Sequence, residues 1–252
     1  MGFFNIMREV VKAKIGDDHH VPTVTPLELT QGALVKFDGP DIALAQANGS
    51  IVPNIDGEQT VIAVGKQKLF GLDVYHSYLS DNKSFIQTVI AKDKTVECKL
   101  FVLRDEVAPQ NVQEWEFWMS TYKRGKDGEI MVDPKTGEEL VEEYGLIGWP
   151  EFQIDGPPPI KYSRSWMPGA EGGVIPVNYH EHVSNGQSSA TVDIEHESME
   201  YTRTLGKGAS ATTEYVFVTA SSHGNGDNGE SGIDIFVGIA LNAKDLNILH
   251  GK

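Results

Sequence analysis

From about residue 33 onward, the apolar residues of this chain recur at every second position. No other feature limits the fold as much, because successive side chains on a strand point to opposite faces whereas a helix repeats about every 3.6 residues. In "LDVYHSYL", Leu72, Val74, His76 and Tyr78 fall on one side, and Asp73, Tyr75, Ser77 and Leu79 on the other. "VECKLFVL" aligns Val96, Cys98, Leu100 and Val102. "EYVFVTA" and "IDIFVGIAL" are mostly apolar on both sides, as strands buried on two faces are. Turn-forming runs separate them: "SDNKS", "AKDKT", "SNGQSS" and "SHGNGDNGESG". The pattern predicts a mainly β protein, or α+β with little helix, built of antiparallel sheets in a sandwich or barrel-like arrangement. "NVQEWEFW" fits a short helix or a strand.

The first sixteen residues break the period. Phe3, Phe4, Met7, Val10, Val11 and Ile15 recur at helical spacing, with Arg8, Lys12 and Lys14 mostly on the other side. Three basic residues and Glu9 give this segment +2; the whole chain carries −15, so the remainder carries −17. The expectation is an amphipathic helix over 1–16. Its Phe3, Phe4, Met7 and Val11 stripe, with Arg8, Lys12 and Lys14, would dock a protein partner or a membrane surface. The competing reading packs that stripe on the protein's own core. Residues 17–26 read as a linker, and 27–252 as a single β-rich domain. From it the Tyr122–Gly145 stretch projects as an exposed hairpin, with "KDGE" and "DPKTGEE" as turn chemistry.

Charge and composition exclude several classes. A net charge of −15 repels phosphate backbones, which argues against a nucleic-acid partner and for cationic ones. Cys98 is the one cysteine, so neither an intrachain disulfide nor a cysteine zinc framework is available. No apolar run approaches the roughly 18 residues of a membrane-spanning helix, and no signal-peptide pattern opens the chain. The expected location is therefore cytoplasmic, with peripheral attachment at the inner membrane if the N-terminal helix docks there. The phosphate-loop, dinucleotide, nucleophile-elbow and HExxH patterns do not occur, and no cofactor is implied. The glycine-rich, acidic "HGNGDNGES" lacks the EF-hand ligand order and reads as a loop.

"PVNYHEHV" and "ATVDIEHES" hold the histidines of interest. On strands, Val177, Tyr179, Glu181 and Val183 share one face, and Asn178, His180 and His182 the other. A hairpin at "SNGQSS" sets His180 and His182 beside Asp193 and Glu195. Such a quartet suits a divalent metal, or else pairs across strands on a solvated face. His196 and His76 lie on apolar faces and are expected to be hydrogen-bonded core histidines. Cys98, also on an apolar face, has no basic neighbour to make it a nucleophile.

"PPPIKYSRSWMPG" places Tyr162, Arg164 and Trp166 on one face of a proline-bounded strand, expected at a sheet margin. Exposed, the row would be a binding surface. Buried, Arg164 would stack between the aromatics or pair with a carboxylate.

Residues 60–87, "IGWPEF", "YSRSW", "MEYTR" and "FVGIALNAKDLNIL" resemble, in that order, the YjfK-like family of bacterial proteins of unknown function. The resemblance implies a soluble cytosolic protein, encoded near membrane-remodelling and small envelope proteins. It assigns no catalytic residues. Three functional readings follow: a non-enzymatic binding or adaptor protein for membrane-stress machinery; a metal-dependent hydrolase using His180, His182, Asp193 and Glu195; or a polyamine or small-molecule sensor.

Overall fold

Among the described residues, the alternating runs form fourteen strands. They are β1 (Leu34–Lys36), β2 (Glu58–Leu69), β3 (Leu72–Leu79), β4 (Ser84–Ala91), β5 (Lys94–Val107), β6 (Thr121–Tyr122) and β7 (Val141–Glu143). They continue as β8 (Glu151–Ile154), β9 (Ile160–Arg164), β10 (Val177–Ser184), β11 (Val192–Leu205), β12 (Thr212–His223), β13 (Gly232–Ala240) and β14 (Asn247–Leu249). Among the described residues, the α-helices α1 (Pro40–Ala47) and α2 (Val112–Trp118) join them. The computed structural model describes residues 25–37, 40–55, 57–92, 94–184, 191–223, 232–244 and 246–249. The amphipathic segment 1–16, nearly all of the 17–26 linker and most of the glycine-rich "HGNGDNGES" stretch lie outside the described residues. Among the described residues, no helix is long and apolar enough to cross a membrane.

Between sandwich and barrel, the pairing decides for a barrel. The strands run β2-β3-β4-β5-β13-β12-β11-β10, all antiparallel, and β10 returns to β2 through His182↔Lys66, Val183↔Gly65 and Ser184↔Val64. The ring of eight strands is thereby closed, leaving no open edge within it. Its hairpins use tight turns where the sequence allows. The two residues between β2 and β3, Phe70 and Gly71, both have positive φ, 51° and 79°, which matches strand twist.

Closure explains why so many strands are apolar on both faces. One cluster draws on all eight ring strands, including Ala63, Tyr78, Phe85, Phe101, Tyr179, Ile194, Phe217 and Phe236, and fills the barrel. The other lies on the outside. There Leu79, Ile86, Leu100, Met199, Val216 and Val237 are covered by Leu29, Val52, Ile147 and Phe152 from the flanking segments.

"NVQEWEFW" resolves as helix α2. Asn111 accepts from the Glu114 backbone N–H at 2.9 Å, and the Glu114 carboxylate accepts from the Gln110 N–H at 2.8 Å, a reciprocal cap. β9 departs from the expected sheet margin. It lies between β11 and β8, so β8 is the edge, and the prolines before Ile160 only delimit the strand. In the Tyr122–Gly145 stretch, β6 pairs with β7 apart from the barrel sheet, and bridges Arg124↔Ile130 and Val132↔Glu139 continue it.

Candidate functional site

The barrel interior is not purely apolar. Glu181, on the inward face of β10, is 0% exposed, yet it carries a carboxylate. Tyr78 Oη donates to its Oε1 at 2.6 Å. His196 Nε2 lies 2.9 Å from Oε2, and His76 Nδ1 lies 3.2 Å from Oε1. An ionised carboxylate only accepts, so each imidazole turns an N–H toward it. His196 Nδ1 lies 2.9 Å from Ser221 Oγ and 3.3 Å from Thr219 Oγ1. His76 Nε2 faces the Gln67 and Gln87 amides at 3.2 and 3.1 Å. Two amides cannot both donate to one lone pair. Gln67 Oε1 has no partner among the described residues, so that amide is the one whose oxygen and nitrogen exchange without losing a bond. Burial opposes the Glu181 charge, but His76 and His196 outweigh it and hold the carboxyl well below the usual range. Burial and the Glu181 charge push the Tyr78 hydroxyl well up. Tyr179 stacks on His196 with ring centroids 5.0 Å apart. Both histidines are thus the hydrogen-bonded core residues that their apolar faces predicted. The Glu181, His76 and His196 side chains are at most 3% exposed, so the cluster is closed off from solvent. What it does is fix β3, β10 and β11 around one anion.

A second buried pair joins β5 to β11: Lys99 Nζ lies 2.7 Å from Glu200 Oε2 and 3.0 Å from Glu97 Oε2. Lys99 also sits 4.3 Å from the Tyr215 ring centroid. Burial pushes the Glu200 carboxyl up and Lys99 only partly offsets this. Lys99, facing two carboxylates, stays raised despite its burial.

On the outer face, the expected hairpin register holds, with His182 opposite Asp193 and His180 opposite Glu195. His180 Nδ1 and His182 Nδ1 lie 3.1 and 3.2 Å from the two Asp193 oxygens. Glu195 does not join them; it accepts from Asn178 Nδ2 at 2.9 Å. The structure therefore gathers three of the four residues, as a solvated hydrogen-bonded triplet. Among the described residues, no group of three or more His, Cys, Asp or Glu side chains is placed to hold a metal ion.

The Tyr162, Arg164 and Trp166 row is corrected in detail. Tyr162 and Arg164 are buried, but Arg164 neither stacks between the aromatics nor meets a carboxylate. Its guanidinium donates to the carbonyls of Gly148, Gly172 and Ala170 at 2.6, 3.0 and 2.7 Å, because two loops fold over the strand end. β9 stops at Arg164, so Trp166 leaves the row and packs edge-on against Phe70 and Phe217. Tyr162 instead donates to the buried Glu214 at 2.7 Å, with Arg203 over its ring. Glu214 also accepts from Ser50 Oγ and the Ile51 N–H, tying the N-terminal flank to β12.

One feature was not read from sequence. A cleft of about 250 Å³ is lined by Trp115 of α2, Glu195 and Glu197 of β11, and Ala220, Ser221 and Ser222 of β12. Burial and the neighbouring Glu195 raise the Glu197 carboxyl. Burial, then Glu197 and Glu139, raise the Tyr122 hydroxyl. The available signal was the β11 alternation, which aims Glu197 outward with Asp193 and Glu195. Trp115 required knowing that α2 is a helix.

Fold and site together define a closed antiparallel β-barrel whose interior is organised around a buried carboxylate and whose outer face is acidic. A family model described as "Protein of unknown function (DUF2491)" matches residues 10–136 and 126–247, and the chain belongs to that family. The two matches meet inside the hairpin excursion. No curated protein and no solved structure matches the chain.

Proposed function

We propose that the protein is a non-enzymatic binding protein that docks a basic partner on the outer face of β10 and β11. The observation carrying this is the row Asp193, Glu195, Glu197 on alternate outward positions of one strand. A chain charge of −15 extends the same field outward and speeds the approach of a cationic surface. The resemblance to YjfK-like proteins adds a setting, an adaptor for membrane-stress machinery at the inner membrane, with segment 1–16 as the attachment. A lysine-rich peptide titrated into the protein tests the docking. Binding should weaken at least tenfold in Asp193→Asn/Glu195→Gln, and equal binding by that variant removes the proposal. Co-sedimentation with anionic vesicles, with and without residues 1–16, tests the attachment; equal sedimentation of the two removes it.

A further inference from the structure

We propose that the cleft between α2 and β11–β12 binds a primary alkylammonium group, its alkyl stem along the Trp115 indole and its charge between Glu195 and Glu197. This rests on the cationic-partner reading and names the group such a partner would insert. The cleft's walls come from three elements with different chemistry. α2 supplies Trp115, β11 supplies two carboxylates, and β12 supplies Ala220, Ser222 and Ser221, whose hydroxyl turns inward to His196. An indole attracts a cation through its ring quadrupole and an alkyl chain through its apolar surface. The two carboxylates stand two residues apart on the same strand face, and they repel each other. No basic side chain lines the cleft among the described residues, so a cation from outside relieves that repulsion.

Size narrows the ligand. At about 250 Å³ the cleft falls just under the roughly 300–1,000 Å³ span of small-molecule sites, which suits a slender chain. An ammonium is a compact point charge on a flexible stem, whereas a guanidinium seeks a planar, two-pronged partner. The same chemistry has two sources, a free polyamine or a lysine of the docked protein.

Calorimetric titration with spermidine, and in parallel with a lysine-rich peptide, separates them near physiological salt. At least one of the two should bind with a single site. Trp115→Ala and Glu197→Gln should each weaken that binding at least tenfold, while their thermal midpoints without ligand stay within a few degrees of the parent's. The probe that responds identifies the source. If neither probe binds, or if binding ignores both variants, the inference is overturned. Peptide binding that ignores Trp115→Ala and Glu197→Gln but is lost in Asp193→Asn/Glu195→Gln leaves surface docking standing and removes the cleft.

Discussion

The Glu181 carboxylate occupies the space that a side chain on Gly65 would fill. An ideal Cβ at Gly65 would lie 1.5 Å from Glu181 Oε1 and 2.5 Å from its Cδ. Glycine is needed here for room, not for backbone freedom. Gly65→Ala should drive the carboxylate off Tyr78 and His76 and leave a buried charge poorly paired. Breaking a buried ionic cluster costs about 3–5 kcal/mol. A denaturant titration should show a loss of that order, and a loss below about 1 kcal/mol would mean that the barrel relaxes around the methyl group.

The same carboxyl sets an acid response. In the unfolded chain it titrates near about 4.3. Its folded value is lower, because the two imidazoles outweigh burial. The folded state therefore binds the proton less readily, and the stability that Glu181 contributes is complete above about pH 4.3 and drains as pH falls. One such group gives a slope of at most about 1.4 kcal/mol per pH unit. Glu181→Gln should flatten the stability profile below pH 4 by up to that amount. An unchanged profile would show that other carboxylates govern acid unfolding.

Lys99 and Glu200 are worth more as a test than as a stabiliser. Each is 3% exposed, so removing one strands the other. Lys99→Met should cost about 3–5 kcal/mol, whereas Lys99→Met/Glu200→Leu should recover most of it. Three denaturation curves decide. A double variant as weak as the single one would mean that the pair holds Ser165, which donates to Glu200 Oε1 at 2.9 Å, in a way that apolar packing cannot replace.

The strands and their facing residues were legible because period two is a local property. His180, His182 and Asp193 could be set side by side from two adjacent runs and one turn. Barrel closure was not legible, since it rests on His182↔Lys66 and its neighbours, which are far apart in sequence. The buried cluster failed for the same reason. The alternation puts Glu181 on the face of Val177, Tyr179 and Val183, and His76 and His196 on apolar faces, but nothing local says that the three meet. α1 was missed because eight residues with one buried side chain leave little amphipathic signal. α2 carries a readable cap, Asn111 with Glu114 three residues on, and that cap separates helix from strand in "NVQEWEFW".

Cys98 offers a clock for opening of the outer core. It is buried on β5, and burial together with Glu97 pushes its thiol up to about 12. A thiol reagent acts on the thiolate. Native protein should be unreactive at neutral pH, and the rate should rise with denaturant across the unfolding transition. Stoichiometric labelling within minutes in buffer alone would show that the segments covering the barrel open locally.

Arg164 ties two loops to the end of β9. Its guanidinium holds the carbonyls of Gly148, Ala170 and Gly172, which belong to two loops on either side of β9. Arg164→Ala leaves buried carbonyls without donors, and each unmet group costs about 1–3 kcal/mol, moderated where water enters. Lysine offers a single point of charge in place of a planar fork, so Arg164→Lys should restore only part of the loss. Trp166 bridges both apolar clusters, touching Phe70 and Phe217, so Trp166→Ala should cost about 3 kcal/mol. The two sites share few partners, and their costs should nearly add. Denaturant midpoints for the single and double variants test this. If all are as stable as the parent while lysine-peptide binding disappears, the row is a docking surface after all.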